Sequence, residues 1–393
     1  MKKKPIVIRI FAVVFCAVIL IFSALGDPVS RIKAYFGYVS DNVKGAAEDG
    51  SAPEPYSGDS YSDTFALKDF FVDLNGYVGR ALDLKELYRE TGIYILDGGY
   101  IVSRYNRTEA DYEVEEILRL KEFLDGRGIA LLYVNAPTKY FDDGIFEKNF
   151  GVRSFCNDNA DRFLAWITSS GVPTLDLRQS FKDAGLDAKD VFYRTDHHWT
   201  VNGGFFATAR IAEALNESCG FGIDMSLYDP ERYDFTEMKD CWVGEQGNKI
   251  AVTYAGYDDF TLIEPNFETD LTLNGSQRTD FGGFIDRSLF EFDGATKSSL
   301  HYSYRSVPAV NNLVGEGNIL LLSDSFSQVV TPFLSLSVHS VDPVILRSYG
   351  GDLMSLIENG NYDAVVICYS EIMIGAHDNP ASSNYRMFSF DGE

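Results

Sequence analysis

The apolar positions of this chain fall into blocks whose spacing changes along its length. The first block is an unbroken run from Ile10 to Leu25, behind Lys2, Lys3, Lys4 and Arg9 and ahead of Asp27-Pro28. It is 16 residues long, or 21 counted from Pro5 with Arg9 reaching back to the headgroups. That length lies between a signal-peptide core and a full bilayer span. Basic residues on the N-terminal side keep that end in the cytoplasm. Residues 1–26 are therefore expected to form a signal-anchor transmembrane segment. A single-pass protein of the cell membrane follows, with its body extracytoplasmic. Cleavage near Ala24 and Gly26 would instead give a secreted body. Residues 27–64 read as a stalk, because their later half is rich in Gly, Ser, Pro and acid and has little to pack.

From Phe65 the spacing becomes that of a folded domain, 65–393. Leu67 to Leu87 reads as helical. Ile93–Leu96 and Tyr100–Ser103 read as strands around an Asp97-Gly98-Gly99 turn. Val114, Ile117, Leu118 and Leu124 recur at helical spacing. Ile129–Asn135 is a continuous apolar strand, Ala160–Ser169 a helix and Val172–Leu177 a strand. Thr200 is the expected N-cap of a helix to Leu215, with Phe205, Phe206, Ala209, Ala212 and Leu215 inward. Asn318–Leu322, Val341–Leu346 and Ala364–Cys368 read as strands, with a helix near Asp352–Glu358. Strands alternating with helices predict a three-layer α/β domain with a mainly parallel sheet. Its active site belongs at the carboxyl ends of the strands. Residues 219–312 break the alternation. They are rich in Tyr, Phe, Thr and Gly and read as a β-rich or irregular insertion beside the site.

Charge narrows the function classes. The net charge is -24, although residues 1–26 carry four positive charges and no acid. So acidic a body repels nucleic acid, whose binding needs phosphates neutralised by Lys and Arg. Five cysteines show no zinc spacing and no dense disulfide framework. A Cys219–Cys241 bridge is open in an oxidising compartment, but buried free thiols are the simpler reading.

Two segments carry candidate chemistry. Two of the five histidines are adjacent in Tyr193-Arg194-Thr195-Asp196-His197-His198-Trp199-Thr200, which runs straight into a helix. In Asn318-Ile-Leu-Leu-Leu-Ser323-Asp324-Ser325-Phe326 an apolar strand stops at a short polar turn. A serine there projects its hydroxyl at the strand's edge, and free N–H groups beside it can hold an oxyanion. The hydroxyl is a weak nucleophile without a base. A histidine supplies the base, and a carboxylate fixes its tautomer. Ser325, His198 and Asp196 fill these roles. The competing reading is a capping serine and an ordinary polar histidine pair.

At these residues the chain resembles a known family. Asp196-His197-His198-Trp199 looks like the signature of DHHW family proteins, which are similar to the alginate O-acetyltransferase proteins and SGNH hydrolase-like. The resemblance runs from about Phe65 to Phe390. It takes in Leu96-Asp97-Gly98-Gly99-Tyr100, Asn135-Ala-Pro137-Thr-Lys139, Ser323-Asp324-Ser325-Phe326 and Cys368-Tyr369-Ser370-Glu371. In the alginate-acetylating relatives the pattern is Asp-x-His-Trp, with a later Gly-Asp-Ser-Phe-like block. This maps the triad onto Asp196, His198 and Ser325. Ser323 stands where the relatives usually have Gly. Lys139, Arg194, His197, Trp199 and Tyr369, with Glu371, are the further residues expected to touch substrate. For Lys139, Arg194, Tyr369 and Glu371, ordinary surface or ion-pair roles compete.

The resemblance implies acyl transfer outside the cytoplasm, of acetyl onto a cell-surface or exported polysaccharide, through an acyl-serine intermediate. It also implies a membrane-bound O-acyltransferase partner supplying acetyl, and no cofactor or metal. A glycan O-acetyl esterase and a non-catalytic glycan-binding scaffold of the same fold are the alternatives. A metal-dependent phosphoesterase built on Asp196-His197-His198 lacks the further carboxylates such a site requires.

Overall fold

Three of the anticipated strands are buried on both faces, and they set the architecture. The computed structural model describes residues 68–87, 92–290 and 300–390. The anticipated anchor and stalk, residues 1–26 and 27–64, lie outside the described residues. Contacts divide the chain into Met1–Gly79 and Arg80–Glu393. The described part of the first unit belongs to helix α1, Lys68–Ala81, whose last two residues fall in the second. No helix among the described residues is long and apolar enough to cross a membrane.

The second unit begins with a small antiparallel sheet of β1 (Glu86–Leu87), β2 (Ile93–Ile95) and β3 (Ile101–Ser103). The turn between β2 and β3 holds Gly98 and Gly99 at φ of +85° and +80°, a region glycine enters without steric cost. Helix α2 (Asp111–Asp125) leads to β4 (Ala130–Ala136), and α3 (Cys156–Ser169) to β5 (Thr174–Asp176) and α4 (Leu177–Asp183). Helix α5 (Val201–Cys219) follows. Next come β6 (Tyr233–Trp242), α6 (Glu245–Ile250) and β7 (Asp258–Pro265), with β6 and β7 paired as an antiparallel ribbon. Short strands β8 (Leu271–Leu273), β9 (Gln277–Thr279) and β10 (Ala309–Asn311) precede β11 (Asn318–Ser323), α7 (Ser327–Leu334), β12 (Ser340–Val344), α8 (Leu353–Asn359) and β13 (Ala364–Ser370).

The main sheet has eight strands in the order β5-β4-β13-β11-β12-β10-β8-β9. The first five are parallel, and β10, β8 and β9 extend the sheet antiparallel. The mainly parallel sheet is therefore as the alternation predicts. The two-residue period of a strand divides its core into two layers. Leu132, Val134, Ile319, Leu321, Val366 and Cys368 face α5 and α7. Leu131, Tyr133, Leu320, Leu322, Val365 and Ile367 face α2, α3 and α8. Strands covered on both faces need near-continuous apolar sequence, which is why β11 reads Ile-Leu-Leu-Leu.

Helix α5 starts at the expected Thr200, whose Oγ1 accepts from Gly203 N–H at 3.0 Å. Its register follows the anticipated face, with Phe205, Ala212 and Leu215 buried and Phe206 and Ala209 partly so. Cys156, Cys219, Cys241 and Cys368 are all free thiols.

Candidate active site

The histidine-bearing segment is pinched into a closed loop at its base. Phe192 and Trp199 form an antiparallel bridge, and Tyr193 N–H and Thr200 N–H donate to the carbonyls of His198 and Val191. Thr200 then caps α5, so the loop is tied directly to a rigid element. The serine-bearing turn joins the C-terminal end of β11 to α7. There Asp324 accepts from Phe326 N–H at 2.9 Å and from Ser370 N–H, at the end of β13, at 2.8 Å. Burial pushes the Asp324 carboxyl up, against those two bonds. Phe326 fills the space between the two segments, 4.8 Å from the Trp199 ring and 5.3 Å from the His198 ring.

Here the three residues singled out by their sequence meet. Asp196 Oδ1 lies 2.6 Å from His198 Nδ1, and His198 Nε2 lies 2.7 Å from Ser325 Oγ. A carboxylate only accepts, so Nδ1 carries the proton and Nε2 is free to accept from the serine hydroxyl. Burial alone would raise the Asp196 pKa. The His198 hydrogen bond and the charges of His198, His197 and His301 outweigh it and hold the group well below the usual carboxylate range.

The cradle around Asp196 comes from a distant stretch of chain. Glu245 N–H donates to Asp196 Oδ2 at 2.8 Å, and Gly244 N–H to Thr195 Oγ1 at 2.8 Å. Asp258 accepts from Arg194 N–H at 3.0 Å, Thr195 N–H at 2.7 Å and Thr195 Oγ1 at 2.6 Å. Neither Gly244 nor Asp258 carries a sequence signal. Both lie in the irregular stretch, and their role depends on folding back across the loop.

The anticipated substrate contacts separate. His197 stays at the site, its ring centroid 3.9 Å from that of His198. Burial and the His198 charge push the His197 imidazole down to about 4. Trp199 lines a narrow crevice beside Ser325, together with His198, His301 and Gln328. Lys139 is buried and acts as a strut: its Nζ donates to the Arg194 carbonyl at 2.8 Å and to Gln246 Oε1 at 3.2 Å. Burial pushes its ammonium down to about 7 despite the pull of Asp258 and Asp196. The Arg194 guanidinium turns to the Tyr257 carbonyl and packs over Gly99 and Gly256. Tyr369 is not brought to the site: it is fully buried in the layer facing α2 and α3, and its hydroxyl donates to the Met387 carbonyl. Glu371 is buried and accepts from Thr138 N–H and Oγ1.

Sequence reasoning missed His301, which stacks on His198 with centroids 4.6 Å apart and planes at 22°. Among the described residues, Asp196, His198 and His301 form a group that brings three ligand-type atoms within 4.8 Å of one another. The 2.6 Å between Asp196 Oδ1 and His198 Nδ1 is a hydrogen bond. The residues as placed form a hydrogen-bonded relay through Nδ1 and Nε2 of His198.

Residues 97–237 match the family model described as SGNH hydrolase-like domain, acetyltransferase AlgX. No curated protein sequence matches the chain. The fold is similar to that of Bacillus cereus PatB1, at 21% identity and a TM-score of 0.59, over 76% of this chain and 99% of that one. The same protein with a sulfonyl adduct matches at 19% identity and a TM-score of 0.58, over 76% and 98%. A DHHW family protein from Eubacterium siraeum matches at 15% identity and a TM-score of 0.53, over 76% of this chain and 94% of that one. The chain thus carries an SGNH hydrolase-like α/β domain, resembles acetyltransferase AlgX in sequence over residues 97–237 and shares its fold with a DHHW family protein.

Proposed function

We propose that this protein is a serine-dependent O-acetyltransferase acting outside the cytoplasm on a cell-surface or exported polysaccharide, through an acetyl-Ser325 intermediate. The observation that carries the reading is the relay Asp196–His198–Ser325, with contacts of 2.6 and 2.7 Å, at the carboxyl edge of a parallel sheet. The match to the acetyltransferase AlgX domain supports the acyl group. The basic and then apolar N-terminus supports the location. A membrane-bound acyltransferase delivering acetyl across the bilayer is the partner such a location calls for.

In the first half-reaction the Ser325 hydroxyl proton passes to His198 Nε2 as Oγ bonds to the carbonyl carbon of the donor. Asp196 stabilises the imidazolium without taking its proton. The Ser325 N–H, which has no acceptor among the described residues, is free to hold the oxyanion. The bond from the carbonyl carbon to the leaving group then breaks, and the leaving group takes the proton from Nε2. In the second half a sugar hydroxyl gives its proton to His198 and attacks acetyl-Ser325. Ser325 Oγ leaves with that proton, regenerating the enzyme. Water in place of the sugar would make the same site an esterase.

Intact mass spectrometry of the full-length protein after exposure to p-nitrophenyl acetate tests the reading. We expect one acetyl adduct, mapped to Ser325, absent in Ser325→Ala and formed at least about 10⁴-fold more slowly in His198→Ala. The PatB1 adduct makes a sulfonyl fluoride the second probe. A folded wild-type protein that neither probe labels overturns the reading.

A further inference from the structure

His301 lies in the 3₁₀ turn Leu300–Ser303, more than a hundred residues from His198 in sequence, yet its ring covers the His198 ring. On its other contacts it is backed by the fully buried Trp242, at 5.6 Å and 33°, and by Tyr302, at 3.9 Å. Its Nδ1 is buried and has no hydrogen-bond partner among the described residues. The ring is therefore held by its faces. It also lines the crevice at Ser325, so it stands at the reacting atoms without being one of the relay.

We propose that His301 is a positioning residue of the acyl-transfer site: backed by Trp242, it lies flat on the His198 ring and keeps that imidazole between Asp196 and Ser325 while it carries the proton. This inference rests on the acyl-serine reading above. The imidazolium formed during proton transfer is a cation against a π face, an arrangement that stabilises the charged form. For that to work His301 must itself be neutral. Burial holds it at about 4, against the pull of Asp196 and Glu245 and with the help of the His198 charge. The other titratable groups facing this stack are His197 and Tyr302. Were His301 protonated, two cations would face each other at 4.6 Å and proton uptake by His198 would be opposed.

The test uses the full-length protein with His301→Ala, which removes the ring, and His301→Phe, which keeps a flat ring and removes both nitrogens. Acylation by p-nitrophenyl acetate is followed across pH. In parallel, His198 is titrated by NMR on protein labelled in the histidine ring. We expect His301→Ala to acylate about 2- to 30-fold more slowly. Its His198 should titrate at lower pH than in wild type, because the charged form has lost its platform. His301→Phe should recover most of both effects. Equal defects in the two variants, or no change in the titration of His198, overturn the inference. A wild type that is never acylated refutes the acyl-serine reading instead. The titration separates the two failures, since it needs no turnover.

Discussion

A methyl group on Gly244 would lie 2.3 Å from Asp196 Cβ and 2.5 Å from its Oδ2. The φ at this position is -76°, so the demand is for space and not for backbone freedom. Gly244→Ala must therefore push the Asp196 carboxylate off His198 or open the 244–247 segment. A misplacement of about 1 Å at such a group costs on the order of 100-fold in rate. Acylation by p-nitrophenyl acetate should fall by about that factor while far-ultraviolet circular dichroism stays unchanged; an unaffected rate would show that the carboxylate tolerates the shift. At this scale the sequence was partly readable. Asp196, His198 and Ser325 declare themselves through residue type, because a carboxylate, an imidazole and a serine after an apolar strand have few joint uses. Gly244, Asp258 and His301 do not. Each is ordinary where it stands in the chain and acquires its role only from what folds against it. Tyr369 misled for the opposite reason. It follows Cys368 in a strand whose odd and even positions face different layers, and one residue decides between site and core.

Helices α5 and α7 carry His198 and Ser325 at their entrances, and Gly204 sets how closely they cross. A Cβ at Gly204 would meet Val329 Cγ1 at 2.6 Å and Val329 Cβ at 2.8 Å. Gly204→Ala should cost roughly 1–3 kcal/mol in urea unfolding, the range for overpacking a filled core. It should slow acylation as well, because the two entrances move apart. Adding Val329→Ala should return part of both losses, since contacting sites are not additive; purely additive losses would place the strain elsewhere. Helices α2, α3 and α5 and strands β4, β11 and β13 were predictable because each repeats its period over several residues and is covered by partner elements on the expected face. Strands β6 and β7, by contrast, lay in the stretch read as β-rich or irregular, and the helix expected over Leu67–Leu87 gives way to β1 at Glu86. Strands β8, β9 and β10 were not predictable. Each is three residues long, too short to show a period, and they pair only through neighbours already in the sheet.

Across the whole molecule, acid should weaken the fold through the histidines around the relay. His197 and His301 are held at about 4 in the folded protein, against an ordinary 6.5. Between those values the unfolded chain binds more protons than the native one, so stability falls as pH drops from about 6.5 to about 4. Asp196, held below its ordinary range, adds stability above that range and loses it as pH falls further. Acidification also relieves the repulsion of a chain carrying a net charge of -24, which acts the other way. Comparing wild type with His197→Gln/His301→Phe isolates the histidine effect. The melting temperature of the double variant should fall less between pH 6.5 and 4, and parallel curves would contradict the assignment.

The bond from Ser370 N–H to Asp324 has a consequence in time. The turn that presents Ser325 is completed by β13, whose Ser370 lies 46 residues further along the chain than Asp324. A chain emerging from the ribosome makes Asp196, His198 and Ser325 before the strand that completes the serine turn. A protein cut short before Ala364 would keep Asp196, His198 and Ser325 but lack the strand that sets the serine. The order of translation thus leaves the Ser325 turn incomplete until β13 has been made.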